Sequence, residues 1–494
     1  MSTYTVGVDI GTTGTKAVLL KVGEGIVGTA TASCTLHSEG PGWAEADGDE
    51  WLRNTRRVVR ELMDQSGVDP QLVKAISTTG MVPAVVLLGE NGETLGRALL
   101  QNDARAVMEI QELAGELGDV DLVNDTGSSL SQQSVAPTLR WFQKNRPEVW
   151  SRVSQVVGSY DWVLMALGAT PHVEKNWALE SGLFFIDGRP HSAVLAAAGI
   201  GHDHVAPVVG AGETVGELTP DNAEAMGLQA GTLLVVGGAD HVLSAYSAGV
   251  STDGDWLVKL GGAGDILVAS RRLIVDSRLY LDAHPIDGIW LPNGCMATSG
   301  SLIRWFQALT GSDDLMAMDQ LASARPPAEV LCLPYFLGEK SPLHDPDLRG
   351  VFFGMHLGTT TADMYRAVLE AIAFGFRHHV DVLTEKGVAL NRAMVTNGGS
   401  KSTLWKQIHA DVLGVPLHPI INHPGASLGA AVIAGVGAGL ISRFEDVADY
   451  VTLGETVTPD PAKVAQYNAA YAEWKDLSDL TTPLAHRLAE RTRQ

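Results

Sequence analysis

The sequence predicts an α/β protein built from two domains, and three observations carry that prediction. The chain has 494 residues, while a single hydrophobic core stops growing near about 250–300 residues. A β-branched run, a glycine-rich turn and a second apolar run occupy residues 5–20 (TVGVDIGTTGTKAVLL), and the arrangement recurs at 256–269 (WLVKLGGAGDILVA). That is the pattern of two strands joined by a tight turn. Apolar residues recur at helical spacing over 51–63, 105–117, 301–309, 361–385, 401–413 and 426–440, so helices accompany strands in both halves.

Taken in order, residues 5–10 form a strand ending near Asp9, Gly11-Thr12-Thr13-Gly14 form the turn, and 15–20 return as a second strand. Residues 74–77 and 84–88 read as further strands. The run 232–237 (TLLVVG) is a strand that ends at Gly238-Ala239-Asp240-His241, and the small-residue stretch 242–249 reads as a helix. These recurrences suggest a weak internal duplication. The polar, turn-rich STDGD at 251–255 places the boundary between a first domain, 1–250, and a second, 251–494. A modestly charged helix is expected after Pro483. The uncharged stretch 424–442 (PGASLGAAVIAGVGAGLIS) approaches membrane-spanning length, but Gly and Ala dominate it and it is read as a buried helix.

Composition removes several function classes. Apolar residues make up 45% and charged residues 19%, enough apolar material for two cores and too ordered a composition for a disordered chain. With 35 basic against 57 acidic residues the net charge is −22, which repels nucleic-acid backbones and anionic membranes. A nucleotide site on such a protein must work through local backbone dipoles and a metal ion. Cys34, Cys295 and Cys332 have no CxxC spacing, so neither a disulfide framework nor a zinc site is expected. The N-terminal residues show no secretory pattern, and a cytoplasmic location is expected.

Five short motifs carry chemistry. In Asp9-x-Gly11-Thr12-Thr13-Gly14-x-Lys16, glycines let backbone N–H groups approach a phosphate, threonine hydroxyls add donors, and the strand-end Asp9 suits a Mg²⁺ held through water. The same residues also suit a plain hairpin turn. Asp240, at a strand-to-helix junction, is placed to accept a proton from a substrate hydroxyl, although Asp is equally at home as a helix N-cap. Gly261-Gly262-Ala263-Gly264 offers a second phosphate loop. Asn397-Gly398-Gly399-Ser400 opens a helix whose N–H groups suit an anion or a purine edge. Asn102-Asp103-x-Arg105 is a polar set fit for a polyhydroxylated ligand, or a surface salt bridge.

The order of these motifs, with GWAEADGDEWL at 42–52, NDAR at 102–105, APTLRWF at 136–142, RGVFFGMHLGTTTADMYRAVLEAIAFG at 349–375 and GGSKSTLWKQIHADVLGVPL at 398–417, resembles the FGGY carbohydrate kinases. The resemblance runs from about residue 6 to about residue 440. It implies the actin-like ATPase fold: two ribonuclease-H-like domains with a cleft between them. It implies ATP and Mg²⁺ as cofactors, a small sugar as substrate, and possession of a homodimer by family analogy. Residue by residue, it implies that Asp240 is the catalytic base and that Asp9 is the metal-associated carboxylate. Gly11, Thr12, Thr13, Lys16, Gly261 and Gly262 would hold phosphates, and Gly398, Gly399 and Ser400 the adenosine side. Met81, Val82, Gln101, Asp103 and His241 would line the sugar pocket with Asp240.

The chain departs from the xylulose-kinase pattern of that family. It has Thr79-Gly80-Met81-Val82-Pro83 where a Gly-Gln-Met-His-Gly is usual, Gln101 in place of Trp, His241 in place of Asn, Thr138 in place of Lys, and no hydroxyl at 261–264. The expected activity is transfer of phosphate from ATP to a ketose hydroxyl, with xylulose as the leading substrate. The alternatives are a ribulose-type or other sugar or polyol kinase of the family, or an actin-like ATPase or sugar sensor without kinase chemistry.

Overall fold

The computed structural model describes residues 2–493. In its first half β1 (Tyr4–Ile10), β2 (Gly14–Lys21) and β3 (Gly25–Ser33) form an antiparallel meander. They are followed by α1 (Gly48–Ser66), β4 (Val73–Gly80), α2 (Lys175–Ser181), β5 (Thr214–Glu217), β6 (Leu233–Ala239) and α3 (Asp240–Ser247). These strands make a six-stranded sheet in the order β5-β6-β4-β1-β2-β3, with β6, β4 and β1 parallel to one another. The hairpin between β1 and β2 closes tightly because the Gly11 N–H donates to the Gly14 carbonyl at 3.0 Å.

The second half repeats the plan. β7 (Asp255–Leu260), β8 (Gly264–Val268), β9 (Tyr280–Ala283), β10 (Trp290–Met296), β11 (Arg392–Thr396) and β12 (Leu417–Pro419) make a second six-stranded sheet in the order β9-β10-β8-β7-β11-β12. As in the first sheet, a hairpin (β7 and β8) has its first strand parallel to a strand that comes much later, here β11. Two such sheets are the two ribonuclease-H-like domains of the actin-like ATPase fold, as the resemblance implies. The helices of this half are α4 (Gly300–Thr310), α5 (Thr361–Glu385), α6 (Thr403–Leu413), α7 (Ala426–Gly437) and α8 (Pro461–Arg493).

Two hydrophobic cores result. On the first sheet, α1 is capped by Asp47, which accepts from the Asp49 N–H, and buries Trp51, Val58, Val59 and Leu62. The second core gathers β7, β8, α5, α6 and α8 around Phe374, Phe376, Trp405 and Trp474. The exception is α7. Although it follows β12, it lies on the first sheet, its residues from Ala426 to Gly435 are all buried, and they join the first core. Small residues make this approach possible. A Cβ on Gly7 of β1 would stand 2.1 Å from the Ser427 carbonyl oxygen, and one on Gly429 2.8 Å from that of Leu243. The uncharged stretch is thus a buried helix, and among the described residues no helix is long and apolar enough to cross a membrane.

The C-terminal helix is longer than expected. It begins at Pro461 and passes through Pro483 instead of starting after it. Thr481 and Thr482 hydroxyls donate to the Leu477 and Ser478 carbonyls in the preceding turn, accommodating the irregularity that a helical proline imposes. The other differences are of a few residues: the helix expected at 105–117 spans Val107–Glu116, and the one expected from residue 401 is a 3₁₀ turn at Gly398–Lys401 followed by α6.

Candidate active site

The two hairpins deliver charged groups in mirror-image fashion. On the first, Asp9 of β1 stands opposite Lys16 of β2; on the second, Lys259 of β7 stands opposite Asp265 of β8. The second pair is closed, with Lys259 Nζ 3.1 Å from Asp265 Oδ2. The first is open: Lys16 Nζ donates to the Pro424 carbonyl at 2.5 Å, and among the described residues no salt bridge reaches Asp9. Burial, and then the nearby charge of Asp240, push the Asp9 carboxyl up to about 7, against the opposing pull of Lys16 and Lys259. A buried carboxylate with no paired cation is a site that a metal ion stabilises, so Asp9 fits the Mg²⁺ that accompanies ATP.

β6 runs into α3 with no intervening loop, so Asp240 is the first residue of the helix and Ala239 occupies the cap position. No side-chain capping bond is made there. The cap alternative for Asp240 is therefore not realised, and its carboxylate is left for the cleft. It lines a cavity of about 240 Å³ that both domains share. Val82, Gln101, Glu180 and His241 reach it from the first half, and Lys259, Asp265, Asp282, Asn293 and Lys340 from the second. His241 Nε2 lies 2.7 Å from Asp282 Oδ2 and 3.5 Å from Glu180 Oε1, while its Nδ1 lies 3.6 Å from Asp240 Oδ1. Glu180 Oε1 and Asp282 Oδ1 are buried and accept no hydrogen bond from any described residue. Glu180, His241 and Asp282 also present ligand atoms within 4.8 Å of one another, the grouping that most resembles a metal set.

The remaining expected residues divide between the cleft and its supports. Val82 and Gln101 line the cavity; Met81 is buried behind Thr12, whose hydroxyl donates to its sulfur at 3.6 Å. Asp103 is turned elsewhere. Its Oδ2 accepts from the Ala44 N–H at 2.7 Å and Arg105 Nη2 at 2.7 Å, and its Oδ1 from Arg105 Nε at 2.9 Å. Arg105 also meets Glu45 at 2.8 Å and stacks 3.8 Å over Trp43, so Asp103 and Arg105 form a buried brace and not a surface pair. Gly261 and Gly262 turn their carbonyls to the start of α4, accepting from the N–H groups of Gly300, Ser299 and Ser301 at 2.8–3.0 Å. Gly399 is required by packing, since a Cβ there would stand 2.1 Å from the Trp405 ring. Asn397 adopts φ 72°, and the Ser400 hydroxyl donates to its carbonyl at 2.7 Å, which shapes the turn before α6.

The motifs did not point to Glu180, Asp282, Asn293, Lys259 or Lys340. Lys259 and Asp265 did leave a signal, two opposite charges placed symmetrically about a glycine turn in otherwise apolar strands. Glu180 on α2, Asp282 on β9, Asn293 on β10 and Lys340 sit in runs with no special spacing.

Comparison with known proteins bears on this cleft. Residues 4–247 match the N-terminal domain, and residues 279–438 the C-terminal domain, of the FGGY family of carbohydrate kinases. The chain belongs to that family. It is accordingly an ATP-dependent kinase of small sugars, acting with Mg²⁺. The crystal structure of xylulose kinase from Rhodospirillum rubrum is similar over 98% of this chain and 100% of that one, at 39% identity and a TM-score of 0.93. The xylulose kinase of Staphylococcus epidermidis is 26% identical over 97% of this chain and 98% of its own. A probable L-xylulose kinase of Pasteurella multocida is 28% identical over 96% and 98%.

Proposed function

We propose that this kinase transfers the γ-phosphoryl group of ATP to a hydroxyl of a ketose such as xylulose, with Asp240 as the base. The observation that carries the reading is the uncapped carboxylate of Asp240 at the head of α3, facing a polar cavity shared by both domains. The substrate rests on the xylulose kinases among the relatives. In this reading Asp240 takes the proton of the sugar hydroxyl as its oxygen bonds to phosphorus and the bond to ADP breaks. Mg²⁺, when bound, would supply charge neutralisation on the phosphates, and Asp9 is the residue that would hold it. Gly11, Thr12, Thr13 and Lys16 meet the phosphates from the first hairpin, Gly261 and Gly262 from the second, and Gly398, Gly399 and Ser400 lie on the adenosine side.

Gln101, Val82 and His241 line the sugar end, with Met81 behind them; Asp103 supports that wall through Arg105. Two units close around the substrates and exclude water: residues 1–250 joined by α7, and 251–494 without it. Three unpaired cysteines suit a cytoplasmic enzyme. Leu480, Leu484 and Leu488, exposed at helical spacing along α8, suit a homodimer.

The experiment is coupled ADP release with Mg²⁺-ATP against ketoses, aldoses, polyols and sugar acids, with Asp240→Ala alongside. A ketose is expected to give the strongest turnover, and Asp240→Ala to lose about 10²–10⁴-fold in kcat while melting normally. Undiminished turnover in that variant would remove Asp240 from the reaction.

A further inference from the structure

The cavity contains a charged link that a single carboxylate base does not require. His241 follows Asp240 on α3, and its ring spans carboxylates from both domains. Nε2 lies 2.7 Å from Asp282 Oδ2, and Nδ1 lies 3.6 Å from Asp240 Oδ1. Asp282 is itself fixed: its side chain is 1% exposed, and Asn293 Nδ2 of β10 donates to the same Oδ2 at 2.8 Å. The strand that carries Asp282 is pinned to the first domain by Asn176 of α2. The Ala283 N–H donates to Asn176 Oδ1 at 2.7 Å, and Asn176 Nδ2 donates back to the Ala283 carbonyl at 3.1 Å. The imidazole is therefore held from the second domain while it faces the carboxylate of the first.

The surroundings decide the charge of that ring. Asp240 faces it from its own helix, Glu180 from α2 at 3.5 Å, and Asp282 from β9. Asp265 of β8 acts on it from further off, but that charge is matched by Lys259 of β7. Asp9 of β1 acts on Asp240, and Tyr280, Cys295 and Lys340 complete the charged and titratable wall of the cavity. Three carboxylates thus surround one imidazole. Burial alone disfavours the imidazolium, yet Asp282, Asp240 and Glu180 override it and hold His241 well above the usual histidine range. Glu180 is driven the other way, well above the usual carboxylate range, by burial and then by Asp282.

We propose that His241 is a positioning residue for phosphoryl transfer: an imidazole hydrogen-bonded to Asp282 of the second domain that faces the Asp240 carboxylate at ion-pairing distance and orients it beside the triphosphate. The proposal rests on the reading of Asp240 as the base. Its physical basis is local charge. ATP brings several negative charges into a cleft that already holds Asp9, Asp240 and Asp282, and their mutual repulsion works against holding the Asp240 carboxylate close to the phosphates. A cation fixed between Asp240 and Asp282 offsets that effect. Because the anchor lies on the other domain, the ring reaches its working position only when the domains are docked.

The test is the pH profile of kcat/KM for the best sugar, from about pH 5 to 9, in the wild type, His241→Asn, Asp282→Asn and Asp240→Asn, each checked by thermal melting. His241→Asn is expected to lose about 10–100-fold in kcat and to shift the acidic limb upward by about one pH unit. Asp282→Asn is expected to keep activity on the acid side and to gain a fall as pH rises through about 6.5, because the imidazole has lost the partner that kept it charged. A folded His241→Asn enzyme with the wild-type profile, merely scaled, would overturn the proposal. So would one equivalent of a bound transition metal in the wild type that is lost in both His241→Asn and Asp282→Asn, since the three side chains would then be ligands. An active Asp240→Asn enzyme would bring down the base assignment itself, an outcome separate from either of these.

Discussion

The hairpins β1–β2 and β7–β8 are built on one plan and charged in opposite senses. Each has a cross-strand pair just before its glycine turn, Asp9 opposite Lys16 in the first and Lys259 opposite Asp265 in the second. In the second the two groups meet at 3.1 Å, and both are consumed by each other. In the first, the lysine is drawn away to the Pro424 carbonyl, a residue just ahead of α7, and the carboxylate remains without a cation. The diversion of Lys16 follows from where α7 packs. The crossover of that helix onto the first sheet therefore has a chemical consequence: one hairpin keeps an acid that its lysine does not pair, while the other holds a closed ion pair.

The sharpest way to break this comparison is Asp9→Asn. If the open acid serves the metal, activity should fall by about 10²–10³-fold, the largest effect expected in either hairpin. Stability should move the other way. The folded-state value of Asp9 is raised from 3.8 to about 7, so the stability of the unliganded protein attached to this group is fully present below about 3.8 and is lost as pH rises to about 7. Asn carries no such loss. Without nucleotide, the variant should melt progressively above the wild type as pH is raised from 4 to about 7, and Mg²⁺-ATP should narrow the gap by stabilising the wild type. A variant that is inactive and destabilised at every pH would make Asp9 a folding residue.

Lys259→Met probes the closed pair and should do more to stability than Asp9→Asn does. It leaves Asp265 partly buried without its partner, at a cost of about 1–3 kcal/mol, read as a drop in melting temperature. The double variant Lys259→Met/Asp265→Leu should recover most of that loss, because a closed ion pair is replaced by apolar packing. Failure of the double variant to recover would mean that Lys259 does more than neutralise Asp265, and its place in the wall of the cavity beside Asp240 would then be the reason.

Much of this arrangement was legible in the chain. Strands on either side of Gly11–Gly14 and Gly261–Gly264 follow from β-branched runs and turn glycines, and the β6–α3 junction with Asp240 at its head follows from an apolar run meeting an acidic residue. Their order carries the resemblance to the FGGY carbohydrate kinases, and that resemblance implied the fold. What sequence spacing did not show is partnership. Nothing in the Gly- and Ala-rich stretch says which sheet α7 covers, since small residues permit close packing against either. Asp103 and Arg105 read as a ligand set or a surface pair, and only the packing of Trp43 and Glu45 shows them as a buried brace. Glu180, Asp282 and Asn293 come from three elements far apart in the chain, so no local pattern joins them. The surroundings that set the charge of His241 are invisible for the same reason.

The smallest expected effect concerns the turns themselves. The first turn carries two hydroxyls, Thr12 and Thr13, and the second carries none, with Ala263 at its tip. Ala263 lines the cavity, so Ala263→Ser would add a hydroxyl donor to the turn that the proposed reading sets against the phosphates. One added hydrogen bond contributes about 0.5–1.5 kcal/mol, which corresponds to a KM for ATP about two- to tenfold lower, with the KM for the sugar unchanged. A change confined to the sugar would mean that the second hairpin faces the acceptor and not the nucleotide. The two turns would then divide the substrates between them instead of sharing the triphosphate, and the likeness of their backbones would no longer imply a likeness of ligand.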